Sequence, residues 1–405
     1  MPRTLLLTLL LCSVTAAQEG RPAGVKAINR AAELIREGRP REAREVLEGA
    51  RGTIPGKELW AWWGYLAMAS DDLRDLPAAR AAYRESMRIQ EDSWFRVPAA
   101  CHRFWEGDAA EAGRLLKGGE DPQDADLARR LRLALRGPFT GGAGREARSP
   151  GGRWRVVADL DDAGGKRQRA IASLLEDFSK EILERLGIPA ERWPAGHVAT
   201  VFIVRDAETW ATFARDWSGG APRANQHGFY DPNVRALLMT TEGKDDLDPD
   251  ATDTLLHEAW HQIFDLLSRE RPLWLNEGLA EYCGKARPAA GGGLVWGGDG
   301  ADGSRVTRRE RLREHLAGGT AIPLPDFVRL DDAAWGKLDP ALAYAQAWSL
   351  AHHALEGSDR ELREAFRGLV QDLAAGKSWS EASEARIPRR RALGWEPGWG
   401  AAFRK

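Results

Sequence analysis

His257 and His261 stand four residues apart in the run Asp253-Thr254-Leu255-Leu256-His257-Glu258-Ala259-Trp260-His261-Gln262. On a helix that spacing places both imidazoles on one face, a turn apart. Two nitrogens so placed can reach one Zn²⁺ at about 2.0–2.1 Å. Glu258 lies beside the pair without ligating, where a carboxylate can take a proton from a metal-activated water. Fifteen residues intervene between His261 and Glu277, which sits in Leu273-Trp274-Leu275-Asn276-Glu277-Gly278-Leu279-Ala280-Glu281-Tyr282. Two His and one Glu leave the fourth position of a zinc ion open, the arrangement of catalytic rather than structural sites. Glu281, one turn beyond Glu277, can accept the outer N–H of a ligand histidine and set its tautomer. The plainer alternative is a buried helix with two hydrogen-bonded histidines.

HEAWH followed by NEGLAEY resembles the gluzincin metallopeptidases, the group that includes thermolysin and aminopeptidase N. It is more closely similar to the bacterial peptidase MA-like domains of unknown function, which carry a related W-L-x-E-G-L-A-E-Y. The resemblance implies one Zn²⁺ per chain, with Glu277 as third ligand, Glu258 as general base and Glu281 behind a ligand histidine. It covers residues 253–282 most firmly and extends from about 153 to 375. The implied fold is a thermolysin-like domain in which a mixed β-sheet precedes the HExxH helix. The same domains carry a Y-A-Q-[AS]-W, matched here by Tyr344-Ala345-Gln346-Ala347-Trp348. Tyr344 falls 67 residues after Glu277, about where aminopeptidase N-type enzymes place a tyrosine that hydrogen-bonds the oxyanion. A phenol there can stabilise a tetrahedral intermediate; otherwise its ring simply packs against the metal helix. His227, His352 and His353 are alternative donors. In gluzincins the strand before the metal helix is a sheet edge that pairs with substrate, and residues 235–240 are the candidate for it. No G-x-M-E-N-like stretch is found there, which argues against a dedicated aminopeptidase.

These side chains need elements to hold them. No Gly or Pro interrupts residues 253–270, and Leu255, Leu256, Ile263, Phe264, Leu266 and Leu267 suit a helix packed inside a domain. Pro272 precedes a second helix. Upstream, residues 153–160 alternate as a half-buried strand, 165–186 read as an amphipathic helix, 198–204 as a central strand, 206–217 as a helix and 234–240 as a strand. Residues 284–307 are Gly-rich and read as a mobile loop, either a lid or disorder. Residues 308–316 form a short basic helix, Tyr344 opens another, 361–375 close the domain, and 386–405 read as a poorly ordered tail.

Residues 25–136 read as helices throughout. Ala43, Ala79 and Ala112 recur at spacings of 36 and 33 residues, near the period of a helix–turn–helix repeat. Trp62-Trp63-Gly64-Tyr65 facing small residues resembles the large–small packing of tetratricopeptide repeats, and such an array implies a protein or peptide partner. An irregular helical domain is the alternative.

The expected fold class is therefore α+β. Signal peptide 1–17 precedes a helical repeat domain 21–136, a Gly/Pro-rich linker 137–152, a gluzincin-like domain 153–385 and a tail 386–405. Arg3, an apolar run and Thr15-Ala16-Ala17 make residues 1–17 a secretory signal, so the mature chain is expected to be exported. With 58 Lys and Arg against 60 Asp and Glu, no basic excess points to nucleic acid. Beyond Cys12, Cys101 and Cys283 are expected to be buried thiols rather than a disulfide. The preferred expectation is an exported zinc peptidase acting on a peptide or protein substrate. Its rival is a catalytically inactive scaffold acting through the helical repeats.

Overall fold

The computed structural model describes residues 22–117, 124–139, 144–160, 164–220, 227–298 and 307–404. The expected signal peptide, with Cys12, lies outside the described residues, as do 299–306 of the Gly-rich loop. The chain divides into two compact units. One runs to Arg136 and includes the short segment Pro194–His197; the other holds Gly137–Trp193 and everything from Val198 onward. Among the described residues no helix is long and apolar enough to cross a membrane.

The first unit is helical: α1 (Ala23–Arg36), α2 (Pro40–Ala50), α3 (Leu59–Asp72), α4 (Leu76–Ile89), α5 (Arg96–Trp105), α6 (Ala109–Leu115) and α7 (Ala125–Arg136). Consecutive helices pack on one another, α1 on α2, α3 on α4 and α5 on α6. The turn inside each pair passes through a left-handed residue, Gly38 (φ 78°), Arg74 (φ 61°) and Gly107 (φ 78°). Those turns share the spacing of Ala43, Ala79 and Ala112, each wholly buried. Small residues there let the paired helices approach closely. Asp75 and Asp108 cap the second helices by accepting from Ala78 and Glu111 N–H. Cys101 and Cys283 are both buried, and neither forms a disulfide.

The second unit is α+β. Its elements run β1 (Arg145–Arg148), β2 (Trp154–Ala158), α8 (Lys166–Arg185), β3 (Ala199–Val204), α9 (Ala207–Ser218), β4 (Gly228–Asp231), β5 (Ala236–Thr240), α10 (Pro249–Leu267) and α11 (Leu273–Gly284). There follow β6 (Arg287–Pro288), β7 (Leu294–Val295), α12 (Arg308–Ala317), α13 (Leu324–Phe327), α14 (Asp332–Trp335), α15 (Pro340–Glu356), α16 (Arg360–Ala374), α17 (Trp379–Arg386) and α18 (Arg389–Arg404). The main sheet has the order β1-β2-β3-β5-β4. β2, β3 and β5 are parallel, while β1 and β4 pair antiparallel at the two edges. Every residue of β3 and of β5 is buried, as expected of strands inside a sheet covered on both faces. α8 packs on β1 and β2, and α10 on β4 and β5.

Four expectations are corrected. Residues 235–240 are not the sheet edge: β5 pairs with β3 on one side and β4 on the other, so β4 is the edge next to α10. Residues 137–152 are not all linker, because β1 joins the sheet through a Ser-Pro-Gly-Gly turn with Gly152 at φ 74°. That strand carries one inward apolar residue, Ala147, and so shows no alternation. The Gly-rich loop is tied down over 287–298: the indole N–H of Trp296 donates to Glu181 at 2.7 Å, and its ring stacks on Phe178 and Tyr282. The carboxyl-terminal tail is a helix. Trp395, Trp399 and Phe403, one turn apart, are buried, and Trp399 Nε1 donates to Ser349 Oγ at 2.9 Å.

Candidate metal centre

α10 begins at Asp248, whose side chain accepts from Ala251 N–H, with Pro249 in the first turn. From there it runs unbroken through His257, Glu258 and His261. α11 crosses it closely. A Cβ on Gly284 would meet the Asp253 carbonyl oxygen at 3.0 Å, and one on Gly278 would meet that of Ala347 on α15 at 2.5 Å. Glycine at 278 thus lets α11 lie against α15 backbone to backbone, with Glu277 toward α10.

The outcome is a tight triangle. His257 Nε2 and His261 Nε2 are 3.2 Å apart, and Glu277 Oε2 is 3.6 Å from each. Among the described residues these three form the one His/Cys/Asp/Glu group able to hold a metal ion. Ligands at about 2.0–2.1 Å from a tetrahedral ion lie about 3.3 Å from one another, so the donors fit a zinc ion on distance as well as on type. All three are partly open, with 13–20% of each side chain exposed.

Electrostatics agree with the geometry. Burial, helped by the neighbouring His261, lowers the His257 pKa to about 3, so its imidazole is neutral and has a lone pair to give. Burial pushes Glu277 up to about 8, with Glu281 adding to it. Burial likewise pushes Glu258 up to about 7, against the pull of His261 and of a hydrogen bond from the backbone N–H of Tyr230. Two acids held so high lack a positive charge, which a divalent cation at the triangle would supply.

His261 is hydrogen-bonded from behind, and His257 faces a carboxylate there. His261 Nδ1 lies 3.1 Å from Asn276 Oδ1, and His257 Nδ1 lies 3.7 Å from Glu281 Oε1. Burial works to raise the Glu281 pKa, but Arg308 and His257 outweigh it and the carboxylate stays below its ordinary range. Sequence reasoning missed Asn276, although it directly precedes Glu277. It also missed a buried network one turn past His261. There Asp265 accepts from Tyr230 Oη at 3.0 Å and Arg235 Nε at 2.9 Å and pairs with Arg271, while Gln262 Nε2 donates to Arg235 O at 2.9 Å. Arg235 is left-handed (φ 52°), and this network holds that strained turn and with it the β4 edge against α10.

Tyr344 lies on α15, its ring against Trp335. Burial and the charges of Glu277 and Glu281 push its phenol up to about 12, so at neutral pH it is a donor. The other candidates are engaged elsewhere. His352 Nε2 lies 3.1 Å from Gly297 O, His353 packs on Phe403, and His227 pairs with Glu242 at 3.1 Å.

A family model described as a protein of unknown function, DUF1570, matches residues 251–374. The match spans α10 through the end of α16, and so contains His257, Glu258, His261, Glu277, Glu281 and Tyr344. No curated protein matches this chain.

Proposed function

We propose that this chain is an exported zinc-dependent peptidase of the gluzincin type, hydrolysing peptide bonds. One observation carries the reading: two imidazole nitrogens and a carboxylate oxygen lie 3.2–3.6 Å apart, with Glu258 next to them on the same helix. His257, His261 and Glu277 would hold the zinc ion, which when bound would supply Lewis acidity toward the scissile carbonyl and toward a water. Glu258 takes the proton of the attacking water and passes it to the leaving amine. Tyr344 offers its phenol to the oxygen on which negative charge develops. Among the described residues β4 is the outermost strand, and its Tyr230 N–H donates to Glu258; this supports an extended substrate backbone lying along β4 beside that carboxylate. Asn276 and Glu281 keep the two imidazoles in orientation. The helical pairs of the first unit resemble tetratricopeptide repeats and are proposed to bind a protein partner.

The test is metal content of the purified mature chain, beside His261→Ala and Glu258→Gln. One zinc per chain is expected in the native protein and in Glu258→Gln, and none in His261→Ala. Glu258→Gln should lower peptide hydrolysis by about 10²–10⁴-fold. A folded native chain that takes up no zinc overturns the reading.

A further inference from the structure

Arg308 opens α12 and lies beside the site without belonging to its ligands. Its guanidinium donates twice to one carboxylate, Nε to Glu281 Oε2 at 2.7 Å and Nη2 to Glu281 Oε1 at 2.8 Å. Such a two-point fork fixes the plane of the carboxylate as well as its place. Glu281 is only 8% exposed, and its Oε1 is the oxygen that faces His257 Nδ1. On its other side the guanidinium lies over the ring of Tyr344, 5.7 Å from the centroid. Fork and ring together restrict where the Arg308 guanidinium can lie.

Glu281 needs such a hold. It faces His257 Nδ1 at 3.7 Å, beyond hydrogen-bond reach, so this contact does not orient the carboxylate. Rotation of the carboxylate would carry Oε1 further from Nδ1, and with it the negative charge that favours a proton on Nδ1 and leaves Nε2 to the triangle. His261 has a direct partner at 3.1 Å in Asn276 and has no such need.

We propose that Arg308 is a positioning residue of the metal centre, acting through Glu281 to aim the His257 imidazole at the ion. The proposal rests on the zinc reading above. Zinc affinity is measured by competition with a chromophoric chelator for the native chain, Arg308→Ala, Arg308→Lys, Glu281→Gln and the double variant Arg308→Ala/Glu281→Gln. Loss of an outer partner of a ligand histidine weakens metal binding about 10–100-fold, and Arg308→Ala is expected in that range. Lysine keeps the charge but not the fork, so Arg308→Lys should fall between alanine and native. The double variant should bind no more than about threefold weaker than Glu281→Gln alone, because both changes break one path. The Co²⁺-substituted absorption spectrum should shift alike in Arg308→Ala and Glu281→Gln.

If Arg308 only held α12 in place, Arg308→Ala would lower the melting temperature of the metal-free protein yet bind zinc within twofold of native. That result overturns the proposal, as does a double variant whose loss is the product of the two single losses. If Arg308→Ala fails to fold, Arg308→Lys against Glu281→Gln decides on the same readout. A native chain without zinc sinks the zinc reading and this proposal together. Native zinc binding with an unaffected Arg308→Ala sinks this one alone.

Discussion

Glu277 and Glu258 give the site its dependence on pH. With pKa values pushed up to about 8 and about 7, both hold protons in the folded, metal-free protein that they release on unfolding at neutral pH. For an acid raised on folding, the contribution to stability is complete below the unfolded value of about 4.5 and is lost as pH rises through the folded one. Below pH 6.5 His257, charged only when unfolded, offsets part of this loss; from about pH 6.5 to 8 nothing in the site does, and the chelated protein should lose melting temperature there, which a thermal scan across buffers would record. Zinc needs Glu277 as a carboxylate, so its affinity should rise about tenfold per pH unit up to about 8. His257, already neutral, adds nothing to that slope. An affinity that stays flat from pH 6 to pH 8 would contradict this assignment. At the residue scale the two histidines and the two glutamates were legible because types and spacing named them. Their supports were not, since any polar residue can be a partner and only proximity selects Asn276 or Arg308.

Among elements, the decisive contact is α11 on α15. Gly278→Ala would drive a methyl group against the Ala347 carbonyl, so the helices must part. Overpacking of this kind costs about 1–3 kcal/mol. Because Glu277 is adjacent, zinc affinity should fall along with the denaturant midpoint; a variant with native stability and native affinity would show that the helices yield freely. α18 is the second test. Trp399→Ala removes a buried indole and its hydrogen bond to Ser349 on α15, at a cost of about 3–5 kcal/mol. A disordered tail would predict no change in chemical denaturation. The 395, 399, 403 stripe was readable as helical, but Gly394, Pro397, Gly398 and Gly400 among those aromatics argued against a helix. Burial of three large rings outweighs those propensities. β4 and β5 show the converse. β5 reads as extended and residues 227–233 as the turn before it, so nothing local marks β4 as a strand, still less as the outermost one.

For the molecule as a whole, the consequence is that stability should follow metal. Zinc held at 100 times its Kd should stabilise the second unit by about 2.7 kcal/mol over the chelated protein, read as a rise in its thermal midpoint with added metal. No such linkage is expected from the first unit, whose core of Trp62, Leu47, Ile28 and their neighbours is apolar. The near balance of acidic and basic residues offers no field to steer a strongly charged partner. For the proposed peptidase, substrate choice then falls to the shape of the site and of β4 beside α10.

The sequence by itself determined the features that repeat over one or two helical turns: the shared face of His257 and His261, the helix carrying Glu277, the aromatic and small residues of the paired helices, and the turn glycines. These depend on 3.6 residues per turn and on local backbone preference, which neighbouring residues set. Only the tertiary structure decided what meets across long stretches of chain. It put β1 in the sheet and β4 at its edge, docked α18, and brought Arg308 to Glu281 behind His257. Such pairings follow from which apolar surfaces remain to be covered and which buried charges still need a partner, and both are settled only when the whole unit closes.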